Sequence, residues 1–108
     1  MTDSGHIPFI DEQRALETVC ATLSQAPWFA IDTEFLREKT YYPKLCLVQV
    51  ATPDMVACID PLTLDDITPL LDVIFDQQIT KVMHAARQDM EIFYHLRGTV
   101  PAPVFDTQ

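Results

Sequence analysis

A mixed α/β sheet is the fold class this sequence predicts, on three observations. β-rich runs and helical stripes succeed one another as strand, meander, crossover helix, strand and helix. The run Trp28 to Leu36 is apolar on both faces, as a central strand is. Eight prolines against two glycines punctuate the chain, with no internal repeat or low-complexity tract between them.

The elements follow in order. Ile7 to Ile10 reads as a short edge strand, where Pro8 is tolerable. Asp11 then looks like the N-cap of a helix reaching about Gln25, whose apolar stripe is Leu16, Val19, Cys20 and Leu23. Pro27 stops that helix before the strand Trp28 to Leu36. Lys44 to Ala51 and Met55 to Asp60 are two further strands, joined by the tight-turn chemistry of Thr52-Pro53-Asp54 into an antiparallel meander. Thr68-Pro69 offers an N-cap hydroxyl and a proline at the first helical position, opening a crossover helix that buries Leu70, Val73 and Ile74 and ends near Gln78. Lys81 to Ala85 is a short strand that can lie parallel to the Trp28 strand, and Arg87 to Arg97 a helix closed by Gly98. Thr99 to Pro103 must be loop, and Phe105-Asp106-Thr107-Gln108 resembles the start of a new helix, with Asp106 as its cap.

With 108 residues, 48% of them hydrophobic and 21% charged, the chain has room for one domain or part of one and is too apolar to be disordered. Seven Lys and Arg stand against sixteen Asp and Glu, a net charge of -9. That balance argues against coating a polyanion, which needs a basic face to displace counterions. A phosphate partner must be approached locally or through a cation. Cys20, Cys46 and Cys58 form no CxxC pair and fit core packing better than a disulfide framework. Met1 to His6 lacks a signal pattern, and no apolar run nears the ~20 residues of a membrane span. A soluble, cytoplasmic protein with no membrane partner is expected.

Side chains alternate along a strand, so Asp32 and Glu34 project from the same side, roughly 7 Å apart at their roots, within an otherwise apolar segment. Two such carboxylates repel, and burying them demands a raised pKa or a cation between them. A partly solvated face, or Arg37 or Lys39 folding back, is the alternative. The second anomaly is Asp89, three and four positions before Ile92 and Phe93 and so on the inward stripe of its helix. The competing reading is an exposed first-turn Asp complementing the helix dipole. A helix that follows a strand parallel to the Asp32 strand starts near that strand's C-terminal end, where the three carboxylates can converge. Carboxylates suit Mg²⁺ or Mn²⁺. His84 and His95 are too weak a pair for zinc; His84 ends a strand, as a hydrogen-bonded structural histidine does, and His95 lies on a polar flank. Arg37, Lys39 and Lys44, interleaved with Tyr41 and Tyr42, match either a single-strand-binding stretch or a solvated loop.

The stretches IDTEFLREKTYYPKLCLVQVA, KVMHAARQDMEIF and VFDTQ closely resemble bacterial ribonuclease D, a family of the DEDD superfamily of 3′-5′ exonucleases. The resemblance runs across most of the chain. It implies a ribonuclease H-like sheet truncated before its last helices, and a metal-dependent 3′-5′ exoribonuclease that trims the 3′ ends of structured RNA such as tRNA precursors, releasing nucleoside monophosphates. By that resemblance Asp32 and Glu34 match the first exonuclease motif and Asp89, five positions after His84, the second. These three would be catalytic and would hold two divalent ions, Mg²⁺ or Mn²⁺. Backbone and apolar groups of Thr33, Phe35 and Leu36, together with His84, would bind substrate. The family's third motif, a tyrosine and a fourth carboxylate on a later helix, and its C-terminal helical domains have no counterpart in residues 1–108, so the segment is expected to be inactive alone and prone to self-association through an uncovered apolar face. A DNA exonuclease on the same scaffold and a non-catalytic interaction module are the competing functions.

Overall fold

The computed structural model describes residues 7–36, 44–84 and 87–108. Six strands form one mixed sheet in the order β1-β4-β3-β2-β5-β6. They are β1 (Phe9–Ile10), β2 (Trp28–Leu36), β3 (Lys44–Thr52), β4 (Met55–Ile59), β5 (Thr80–Met83) and β6 (Val104–Asp106), with helices α1 (Gln13–Leu23), α2 (Thr68–Ile74) and α3 (Arg87–Arg97) between them. β2, β3 and β4 are the expected antiparallel meander, while β5 pairs parallel to β2 and β6 parallel to β5. Arg37, Lys39, Tyr41 and Tyr42 lie outside the described residues, as do His6 and Ala85.

The sheet has one buried and one open face, and residue parity decides which side chain goes where. Phe29, Ile31 and Thr33 of β2 are buried, as are their neighbours Val48 and Val50 of β3, Ala57 and Ile59 of β4, and Met83 of β5. Leu16, Cys20 and Leu23 of α1, Leu70, Leu71, Val73 and Ile74 of α2, and Ile92 and Phe93 of α3 complete that core. Helices α2 and α3 are joined by an edge-on Phe75–Phe93 contact and by Arg97, which pairs with Asp72 at 2.6 Å and lies over the Phe75 ring. On the open face stand Asp32, Gln49, Phe9, Trp28 and Phe105, all exposed, and the half-buried Ala30, Ala51 and Val82. Cys20 packs in the core, where burial, reinforced by Asp72 and Glu17, pushes its thiol up to about 11, far from a nucleophile's range.

Several boundaries differ from expectation. Asp11 does not cap α1; Glu12 holds that position without a side-chain cap bond, and the helix closes at Leu23, followed by a short turn. Thr68 is the first residue inside α2, and it is the Asp66 carboxylate that accepts its backbone N–H, at 2.9 Å. That helix ends at Ile74, short of Gln78. Gly98 closes α3 with φ +73°, its N–H donating to Tyr94 O at 2.6 Å, as a left-handed C-terminal residue should.

The largest correction is at residues 104–106, which form strand β6 and not a helix start. Lys81 N–H donates to Pro103 O and Thr107 N–H to Met83 O, so the bare edge of β5 claims the segment. Asp106 still makes a cap-like bond, accepting the Gln108 N–H at 2.9 Å, but at the end of a strand. Among the described residues no helix is long and apolar enough to cross a membrane.

Candidate active site

Strand β2 sits inside the sheet, between antiparallel β3 and parallel β5. Its alternation sends Asp32 and Glu34 to the open face, where both are exposed, and Thr33 to the core. The two carboxylates therefore escape the desolvation that their apolar surroundings suggested, because their face of the strand is solvated. A register shift between Glu34 and Phe35 bends the strand just beyond them. Phe35 and Leu36 continue β2, and their side chains lie outside the described residues.

Because β5 runs parallel to β2, the helix that follows it begins at the end of the sheet toward which β2 runs. Asp89, in the first turn of α3, is directed inward and only 7% exposed. The exposed, dipole-complementing alternative does not hold. Thr33, the residue between Asp32 and Glu34, donates its hydroxyl hydrogen bond to Asp89 Oδ1. Burial raises the Asp89 carboxyl above the usual carboxylate range; the Thr33 bond opposes this, and the charges of Asp32, Asp106 and Glu34 push the same way as burial. The three predicted acids are thus brought to one end of the sheet, with Asp89 bonded on the core side of β2 and the other two facing out.

A cleft of about 440 Å³ opens beside Asp32 on the uncovered face. Its floor includes Ala30, Ala51 and Val82, and Gln49, His84 and Thr107 provide polar groups. His84 Nδ1 lies 3.0 Å from Thr107 Oγ1, the hydrogen-bonded setting expected of it, with its ring exposed at the cleft. Gln49 carried no expectation from the sequence, and Asp106 was expected only as a helix cap. Gln49 is the register partner of Asp32, and its signal was a lone amide inside the apolar run of β3. Asp106 reaches Asp89 electrostatically only because β6 places it level with Met83, which no local pattern announces.

As a metal centre the donor set is right in kind and incomplete in number. Carboxylate oxygens are the hard donors that Mg²⁺ and Mn²⁺ take. Among the described residues, however, no three His, Cys, Asp or Glu side chains are gathered tightly enough to hold an ion as they stand.

Comparison with known proteins places the arrangement. The family model described as 3′-5′ exonuclease matches residues 7–108. The chain belongs to this 3′-5′ exonuclease family. Ribonuclease D of Bartonella henselae is 49% identical over 100 residues, which are 92% of this chain and 25% of that relative. The crystal structure of Escherichia coli RNase D, described as an exoribonuclease involved in structured RNA processing, superposes with a TM-score of 0.85 at 39% identity, covering 94% of this chain and 27% of that one. Trypanosoma brucei RNase D, solved in complex with RNA U12, shares the fold with a TM-score of 0.79 at 24% identity, covering 94% of this chain and 38% of that one. The chain spans about a quarter of the length of the curated relatives it matches. The mixed sheet is accordingly the ribonuclease H-like sheet of 3′-5′ exonuclease domains.

The raised Asp89 carboxyl has a stability consequence for this exonuclease segment. A folded-state pKa above the unfolded value of about 3.8 means the folded form binds more protons, so the contribution is present at low pH and is lost as pH rises through the folded value. Asp89→Asn, which keeps the Thr33 bond and drops the charge, is expected to make the ion-free chain more stable than wild type near neutral pH, with the advantage shrinking on acidification toward pH 4. Urea titrations of both chains between pH 4 and 7 check this; a difference that is constant with pH, or that favours the wild type at pH 7, contradicts it.

Proposed function

We propose that this chain is the front part of the catalytic domain of a metal-dependent 3′-5′ exoribonuclease that trims the 3′ ends of structured RNA, tRNA precursors among them, in the cytoplasm. The observation that carries the reading is the arrival of Asp89 at Thr33, between Asp32 and Glu34, from 56 positions away in the chain. Its relatives support the substrate: the E. coli neighbour is described as an exoribonuclease of structured RNA, and the T. brucei neighbour was solved with RNA.

In this reading Asp32, Glu34 and Asp89 hold two divalent ions, Mg²⁺ or Mn²⁺, which when bound supply an activated water and stabilise the leaving oxygen. The chain's own groups do the rest. The β2 backbone at Thr33 and the backbone and apolar groups at Phe35 and Leu36 seat the terminal nucleotide against the carboxylates, and the exposed His84 ring lines the adjoining cleft. Scission of the terminal phosphodiester then releases a nucleoside monophosphate and leaves a 3′-hydroxyl on the shortened strand. With a net charge of -9 the segment has little general pull on RNA, so cations held by Asp32, Glu34 and Asp89 would supply the positive charge that a phosphate needs. The tyrosine and fourth carboxylate of the family's third motif belong to a later part of the complete catalytic domain.

The test is a trimming assay with the complete protein containing this segment, supplied with Mn²⁺ or Mg²⁺ and matched 5′-labelled RNA and DNA strands. RNA is expected to shorten from its 3′ end one nucleotide at a time, with the 108-residue chain inert under the same conditions. Equal or faster trimming of DNA favours the DNA-exonuclease reading, and inertness toward both favours a non-catalytic module. Efficient trimming by the 108 residues alone contradicts the need for the third motif.

A further inference from the structure

The two exposed acids of β2 flank a residue that faces the other way. Thr33 is 8% exposed and Asp89 7%, and their side chains meet inside the core margin, hydroxyl to carboxylate. A carboxylate at that depth needs a donor, because leaving it bare forfeits the water it gave up on folding. Among the described residues Thr33 is the side chain that supplies it. The charged neighbours among these residues act in the opposite sense: Asp32, Asp106 and Glu34 repel Asp89. Released from Thr33, the Asp89 side chain has every electrostatic reason to swing to solvent and carry the first turn of α3 with it.

We propose that Thr33 is a positioning residue whose hydroxyl latches Asp89, and with it the start of α3, to the strand that carries Asp32 and Glu34. The inference rests on the reading of Asp89 as part of the active site. The strand's alternation makes it economical: the residue between two outward acids must point inward, so the same three residues present two carboxylates and grip the third. Thr33 acts through Asp89, while any contact it makes with substrate runs through its backbone, which side-chain replacement leaves in place.

The test uses the complete protein and four variants: Thr33→Val, which keeps the shape and removes the hydroxyl, Thr33→Ser, which keeps the hydroxyl, Asp89→Asn, and Thr33→Val combined with Asp89→Asn. Misplacing a reacting group by about 1 Å can cost on the order of a hundredfold in rate. Thr33→Val is therefore expected to lower kcat by about 10- to 100-fold, with the KM for RNA nearly unchanged. Thr33→Ser is expected to restore most of that loss. In the Asp89→Asn background the valine should have almost no further effect on kcat, because the residue it acts through is already disabled. Amide hydrogen exchange at Ile92 and Phe93 should speed up in Thr33→Val and stay slow in Thr33→Ser. Equal kcat for the valine and serine chains overturns the latch, as does a valine penalty of the same size in the Asp89→Asn background, which marks a merely structural effect. If the wild-type protein trims no RNA, the functional reading fails, and the exchange experiment still decides the latch. Should the valine chain fail to fold, Thr33→Ala, which also removes the hydroxyl, takes its place with the same outcomes.

Discussion

Asp32→Ala in the complete protein is expected to lower RNA trimming by about a thousandfold or more, the scale on which members of a cooperative catalytic set fail, equivalent to roughly 4 kcal/mol of transition-state stabilisation. Asp32 projects from an interior strand into the open cleft. The fold should tolerate the change. Asp32 is exposed, the strand's buried residues at Ile31 and Thr33 are untouched, and one fewer carboxylate then repels Asp89. Rate measurements paired with thermal melting separate the two effects. A variant that melts with the wild type and trims at an undiminished rate removes Asp32 from the site.

The second large effect concerns stability and lies away from the carboxylates. Lys81 is wholly buried within β5, and its ammonium donates to Asp76 O at 2.6 Å, to Ala102 O at 3.1 Å and to Ile79 O. It binds the turn after α2, the entry to β5 and the loop leading into β6. Burial pulls its pKa below the usual lysine value, with Asp76 opposing. Replacing a buried charge with an apolar residue can be neutral when its partners find new donors. Here the partners are main-chain carbonyls in two separate loops; Asp76 O keeps the Ile79 N–H, but Ile79 O and Ala102 O lose the ammonium, so Lys81→Met should cost about 2–4 kcal/mol. Against the roughly 5–15 kcal/mol of a typical domain that is a large share. Urea unfolding measures it: an unchanged or raised midpoint contradicts the tether.

Much of this architecture was legible because it rests on local pattern. Trp28 to Leu36 is one strand at the expected bounds, and the two-residue turn after Thr52 folds the meander. The stripe of α3 put Asp89 beside Ile92 and Phe93, and its burial follows from that spacing alone. What escaped depends on partners distant in sequence. Val104-Phe105-Asp106 carries a helix-cap signal and becomes a strand because β5 leaves its edge open. Nothing in the strand Lys81 to Ala85 signals a buried ammonium; it is met by the nearby carbonyls of Asp76 and Ile79 and by that of Ala102, 21 positions on, which only the folded loop supplies. The solvated face weighed as the alternative for Asp32 and Glu34 is the one the structure shows, a choice apolar composition left open because it does not say which face of a sheet the helices cover.

If the chain acts as proposed, the parallel pairing of β2 with β5 bears on when it becomes dangerous to RNA. Trp28 aligns with Thr80, so the chain must emerge from the ribosome for some fifty residues beyond the first acids before the partner strand arrives. Such nonlocal closure is a late and slow event in folding. Under the proposed function, a copy in which that pairing has not formed keeps Asp89 away from Asp32 and Glu34 and is expected to leave RNA uncut.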